Sequence, residues 1–188
     1  KQQVKTRDVH REYRNDIRMD ARWENLAQEI KRILITQKPL SLRPVEKIKG
    51  TAEAICVISD WHIGCVVDSF YNQFNLEIAK ERIAKLRDYT LKYCKQFGVR
   101  KLHILNLGDL IEGEIHTTAR VTNEMDTIGQ IKQASELLSQ FVVDIASEVE
   151  QVCYRSIADN HSRVIQNYKE NLDGDSFVYL IDWILEMK

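Results

Sequence analysis

The sequence predicts an α/β fold built on a parallel sheet, and three observations carry that prediction. Short apolar runs recur at residues 55–58, 102–107 and 152–158. Long stretches of helical periodicity separate and follow them. Each run leads into residues of metal-ligand type: Asp60 and His62, then Asp109, then Asn160 and His161. Strands alternating with long helices imply parallel pairing through right-handed crossovers. Open sheets of that kind hold ligands outside the carboxyl ends of their strands.

Taken in order, residues 1–13 are polar and expected to fray. From about 15 to 34, Met19, Trp23, Leu26, Ile30 and Ile33 form the apolar stripe of an amphipathic helix. Such a stripe docks on the main domain or on a second copy, so a homo-oligomer through this helix is an expectation. Pro39 and Pro44 follow, marking a linker. Residues 1–50 therefore read as a basic helical appendage with its linker, and 51–188 as the main domain.

The first strand ends at Asp60 and, with Ile55, Val57 and Ile58 β-branched, is expected to be buried on both faces. The loop after it carries His62. Asn75 is placed to cap a helix over 76–97, with Leu76, Ala79, Ile83, Leu86, Thr90, Tyr93 and Phe97 inward, and Gly98 to stop it. The second strand opens into Gly108-Asp-Leu-Ile-Glu-Gly-Glu-Ile-His116, dense in acidic groups. Asn123 is placed to cap a helix running to about 149, with Ile128, Ile131, Leu138, Phe141, Val142 and Ile145 inward. The third strand ends in Asp159-Asn-His161, and a last helix spans about 175–187.

The chain's 188 residues suit one domain plus a small addition, and 44% hydrophobic residues allow a core. No apolar run approaches the roughly 18 residues of a membrane span, and no signal-peptide segment opens the chain. A cytoplasmic protein without a membrane partner is expected, in the host cytoplasm if viral. Cys56, Cys65, Cys94 and Cys153 show no Cys-x-x-Cys and read as reduced thiols. Residues 1–50 hold 13 Lys/Arg against 7 Asp/Glu, and 51–188 hold 14 against 21. The plainer reading is a solvated basic helix beside an acidic body; the sharper one is an arm that meets a polyanion.

Asp60 and His62 leave the same strand end together and can share a divalent ion, with zinc–ligand distances of roughly 2.0–2.2 Å. Parallel neighbours bring Asp109, Asn160 and His161 to the same edge. Oxygen ligands mixed with imidazole suit Mn, Fe or Zn more than Ca. A carboxylate shared by two ions holds them roughly 3.5–4 Å apart, the geometry of two-metal phosphate ester hydrolysis.

Asp-x-His, Gly-Asp-x-x-Glu and Asn-His in this order, each after a strand, resemble the calcineurin-like metallophosphoesterases. Ser59-Asp-Trp-His-Ile-Gly64 and the 108–116 run are similar to a bacteriophage-type branch. The resemblance covers about residues 54–163. It implies two divalent ions, Mn first with Fe, Zn or Mg as alternatives. It implies that Asp60 and His62 hold one ion, that Asp109 bridges both and that Asn160 binds the second. His161 would protonate the leaving oxygen or stabilise the phosphate. Metal-activated water would attack a phosphate mono- or diester, with nucleic acid among the substrates.

Two departures stand out. Asp159 and Ser162 flank Asn160-His161 where the family has Gly and an acidic residue, so Ser162 cannot supply the carboxylate that orients the histidine. No histidine follows His161, so the resemblance implies the N-terminal β-α-β-α-β-α half of the sandwich only, a fragment expected to hold metal weakly and to be impaired as a hydrolase, with full activity expected of the intact protein. Arg120, Arg163 and His116 are candidates to hold substrate phosphate. Glu112 and Glu114 could line the pocket or belong to a solvated loop, His103 reads as a packed or edge histidine, and Trp61 as a packing residue. The competing function is a non-catalytic scaffold on the same fold. A nucleotide-binding domain is disfavoured, since neither Gly-x-Gly-x-x-Gly nor Gly-x-x-x-x-Gly-Lys occurs.

Overall fold

The computed structural model describes residues 40–115, 121–169, 171–172 and 174–188, with His10, Tyr13, Arg14, Ile17, Ala21, Glu24, Asn25, Gln28, Lys31 and Arg32. The chain divides into Lys1–Lys38 and Pro39–Lys188. In the first unit the described residues are helical and exposed. The expected stripe of Met19, Trp23, Leu26, Ile30 and Ile33 lies outside the described residues.

In the second unit β1 (Ala52–Ile58) leads through a small hairpin, β2 (Val67–Asp68) and β3 (Gln73–Phe74), into α1 (Leu76–Phe97). Then follow β4 (Val99–Asn106), α2 (Thr127–Glu148), β5 (Gln151–Ser156) and α3 (Phe177–Glu186). The main sheet has order β1-β4-β5, parallel throughout, with Ile58 opposite Asn106 and Asn106 opposite Ser156. All three carboxyl ends therefore lie at one edge. No helix among the described residues is long and apolar enough to cross a membrane.

The Asn75 side chain accepts from the Ile78 N–H at the start of α1, and Gly98 closes the helix in the left-handed region (φ 60°). The inward stripe drifts, however. Ala79, Ile83 and Cys94 are buried, whereas Tyr93 and Phe97 stack on each other in the open. The cap of α2 is Asp126 rather than Asn123, because the Asp126 carboxylate accepts from the Gly129 N–H (2.8 Å). Asn123 instead donates to the Gly113 carbonyl (3.0 Å). Along α2, Ile131, Leu138, Phe141 and Ile145 are core, joined by small residues, Ala134, Ser135 and Ser139, that the apolar pattern alone does not mark.

The expectation that β1 is buried on both faces is overturned. Cys56 and Ile58 are buried, but Ile55 is 64% and Val57 51% exposed. Right-handed crossovers that step in one direction across a sheet put their helices on one side of it. The order β1-β4-β5 takes such steps, so no helix of the second unit among the described residues covers the other side. Residues 40–50 bind along α2. Arg43 donates to the Ser147 hydroxyl through its backbone (2.9 Å) and to Asp144 through its guanidinium (2.8 Å), and Ile48 N–H reaches the Glu148 carbonyl (2.8 Å). Arg87 meets the other oxygen of the buried Asp144 carboxylate (2.9 Å).

Candidate metal centre

The chains leaving β1 and β4 stay paired beyond the strands. Asp60 N–H donates to the Gly108 carbonyl (3.2 Å), His62 N–H to Asp109 (3.0 Å), Ile63 N–H to Leu110 (3.0 Å), and Glu112 N–H back to Ile63 (3.1 Å). Ile63, Leu110 and Ile111 are fully buried and anchor both loops. Parallel register thus carries the first two motifs forward side by side.

Among the described residues three non-glycines occupy the left-handed region: Asp60 (φ 55°), His62 (φ 44°) and Asp109 (φ 55°). Each conformation costs about 1–2 kcal/mol, and such strain gathers at functional sites. All three are residues the sequence marks as ligands. Gly108 (φ 104°) allows the approach of the third motif, since a Cβ there would lie 2.4 Å from Asp159 Cβ.

His62, Asp109 and His161 each offer a donor atom, all within 4.8 Å of one another. The two imidazoles meet edge to face, centroids 4.7 Å apart. Glu112 orients both. Its carboxylate lies 2.8 Å from His62 Nδ1, and its backbone carbonyl 2.8 Å from His161 Nδ1. A carbonyl only accepts, so Nδ1 of His161 carries hydrogen and the neutral ring's lone pair is on Nε2; the carboxylate selects the same tautomer at His62.

Asp109 Oδ1 is buried and has no hydrogen-bond partner among the described residues. A buried carboxylate oxygen without a donor is costly, and a cation is the partner that two imidazoles and a carboxylate fit. Burial pushes the Asp109 carboxyl up, opposed by the charge of His161 and reinforced by Asp159. The hydrogen bond to Glu112 raises His62 above the usual imidazole range, against the effect of burial.

Asp60 is exposed, with Oδ1 3.6 Å from His62 Nε2. Asn160 is exposed, and its carbonyl accepts from Arg163 Nε (3.1 Å). The Asp159 carboxylate takes the Ser162 N–H (2.6 Å) and hydroxyl (2.9 Å), closing a tight turn around Asn160 and His161. The altered third motif is thus self-supporting, and His161 takes its orientation from Glu112 instead of residue 162. His116 and Arg120 lie outside the described residues. Glu114 accepts from the Thr127 hydroxyl at the start of α2 (2.6 Å). Trp61 is buried edge to face with Phe141, and His103 lies 3.3 Å from Glu53 on the bare face of β4.

A second polar network supports the turn before Asp109. The Gly108 N–H donates to Asn106 Oδ1 (3.0 Å), Asn106 Nδ2 to the Tyr154 hydroxyl (3.1 Å), and Tyr154 to Asp182 (3.0 Å), which also accepts from Ser156. Burial pushes the Tyr154 phenol far above its ordinary range. The signal for this network was a lone Asn ending an apolar strand; for Glu112 it was the Gly-Asp-x-x-Glu spacing. Neither reveals a partner without the register of β1 on β4.

No family model matches the chain. It is similar to the SPbeta prophage-derived uncharacterized protein YonJ of Bacillus subtilis (strain 168), 22% identical over 165 residues that make up 87% of this chain and 40% of the relative. The chain thus spans well under half the length of this relative, whose prophage origin agrees with the bacteriophage character of the motifs. No solved structure matches it.

Proposed function

We propose that the protein is a metal-dependent phosphoesterase on a calcineurin-like plan, hydrolysing a phosphate mono- or diester by attack of metal-activated water. The observation that carries this reading is the orphaned, buried Asp109 Oδ1 beside two histidines whose Nδ1 atoms are both fixed by Glu112. Asp60, His62 and Asp109 would hold one divalent ion, with Asp109 shared and Asn160 serving a second, Mn being the first candidate. When bound, such ions activate water and offset charge building on the phosphate oxygens. With Nδ1–H committed to the Glu112 carbonyl, His161 faces the phosphate with Nε2, and only the ring that has taken up a second proton there would pass it to the leaving oxygen. Arg163, tied to Asn160, would meet the phosphate.

The test is hydrolysis of bis-para-nitrophenyl phosphate with added Mn²⁺, alongside elemental analysis, for the wild type and Asp109→Asn. The wild type, which carries only the first part of the family's ligand set, should bind metal weakly and turn over slowly, and the variant should lose both that turnover and its metal. Full metal content in Asp109→Asn, or no wild-type turnover with Mn, Fe, Zn or Mg, refutes the proposal.

A further inference from the structure

Two loops project from the carboxyl edge of the sheet, one on each side of the candidate centre. The first joins β1 to α1 and contains the β2–β3 hairpin. Its turn is fixed, with the Ser69 N–H (2.9 Å) and hydroxyl (3.0 Å) both donating to the Asn72 carbonyl. At its tip Phe70 and Tyr71 are each 94% exposed and meet edge to face, centroids 5.0 Å apart. The second loop joins β5 to α3. Its base is closed by Val164 N–H to the Asp175 carbonyl (3.3 Å) and Phe177 N–H to the Ser162 carbonyl (2.8 Å). Within it Tyr168 is 78% exposed, and the Arg163 guanidinium lies 5.4 Å over its ring. Arg163 is also the residue tied to Asn160 of the third motif.

Phe70 and Tyr71 are adjoining exposed rings on a held turn, apolar faces that a stacking ligand would cover. Polar neighbours, Asp68, Ser69 and Asn72 on one side and Asn167 and Lys169 on the other, break up the apolar area that a packed protein interface would need. What remains is a set of flat π faces with polar surroundings and a stacked arginine. That combination fits nucleobases, which stack on aromatic rings whatever their sequence. At no more than about 3.6 Å per residue, Phe70 lies within about 29 Å of His62 and Tyr168 within about 25 Å of His161.

We propose that Phe70, Tyr71 and the Tyr168–Arg163 pair are base-stacking platforms that seat single-stranded nucleic acid across the metal edge. The proposal rests on the phosphoesterase reading and names its substrate class.

The test measures binding of fluorescein-labelled dT12 to the 188-residue chain by fluorescence anisotropy in EDTA, where hydrolysis plays no part. Wild type should bind saturably. Phe70→Ala with Tyr71→Ala, and separately Tyr168→Ala, should each weaken binding at least fivefold, within the range of about 5- to 150-fold per stacked base. Phe70→Trp with Tyr71→Trp should restore it. No wild-type binding, or binding that the alanine changes leave unaltered, overturns the proposal. So does a wild-type dimer that the alanine changes convert to monomer in sedimentation equilibrium, the result expected if the rings seat a second copy. Ring-dependent dT12 binding in a protein that hydrolyses no phosphodiester with any metal supports the platforms and sinks the phosphoesterase reading alone.

Discussion

Substituting Gly113 by Ala tests how closely the second and third motifs must approach. The residue has φ 70°, and a Cβ there would lie 2.0 Å from the His161 carbonyl oxygen. An ordinary carbon–oxygen contact needs about 3.2 Å, close to the shortest C···O approaches seen between strands, so something must move by more than 1 Å. Gly113 itself is held on both sides: its N–H donates to Gln130 Oε1 (2.8 Å) and its carbonyl accepts from Asn123 Nδ2 (3.0 Å). The His161 backbone must therefore give way, which pulls its Nδ1 from the Glu112 carbonyl. A left-handed alanine costs about 1–2 kcal/mol, and one weakened hydrogen bond adds about 0.5–1.5 kcal/mol. The expected loss is about 1.5–3.5 kcal/mol in urea denaturation, with at least a tenfold loss in Mn²⁺ affinity by calorimetry. Gly174→Ala is the control, since no atom lies within 4 Å of a Cβ there; it should be within about 0.5 kcal/mol of wild type, as surface substitutions usually are. A Gly113→Ala protein within about 1 kcal/mol of wild type and with unchanged Mn²⁺ affinity would refute the packing argument.

Two further predictions follow the same logic. Because Glu112 raises His62, an incoming ion must displace a proton near neutrality, so Mn²⁺ affinity should rise with pH through the usual imidazole range by up to about tenfold per unit. The same raised value stabilises the metal-free fold below about pH 6.5 and is lost as pH climbs through the folded value; a flat calorimetric pH profile would contradict the Glu112 pairing. Tyr154→Phe removes the hydroxyl between Asn106 and Asp182 and should cost about 1–3 kcal/mol in urea denaturation, the usual penalty for stranding buried partners, and an unchanged midpoint would show that the network does not support the Gly108–Asp109 turn.

The alternation of strand runs with 3.6-residue periodicity determined the α/β class, the strand-end location of the polar motifs and the helix Leu76–Phe97 with its Asn75 and Gly98 ends, because these are local properties of backbone and side chain. Cap choice was less legible: Asn123 and Asp126 are equally good caps on paper, and only the placement of Gly113 assigned Asn123 elsewhere. Burial on two faces could not be read from β-branched residues alone, since Ile55 and Val57 look the same whether or not a layer covers them; the strand order left them bare. The donor set behaves likewise. Asp60, His62, Asp109 and His161 are recognisable as ligand types, but Glu112 becomes the residue that orients both imidazoles only when β1 and β4 pair in register past their ends. Hydrogen bonds between residues some fifty positions apart depend on ångström distances that chain periodicity does not encode, and so the centre's geometry belongs to the tertiary structure.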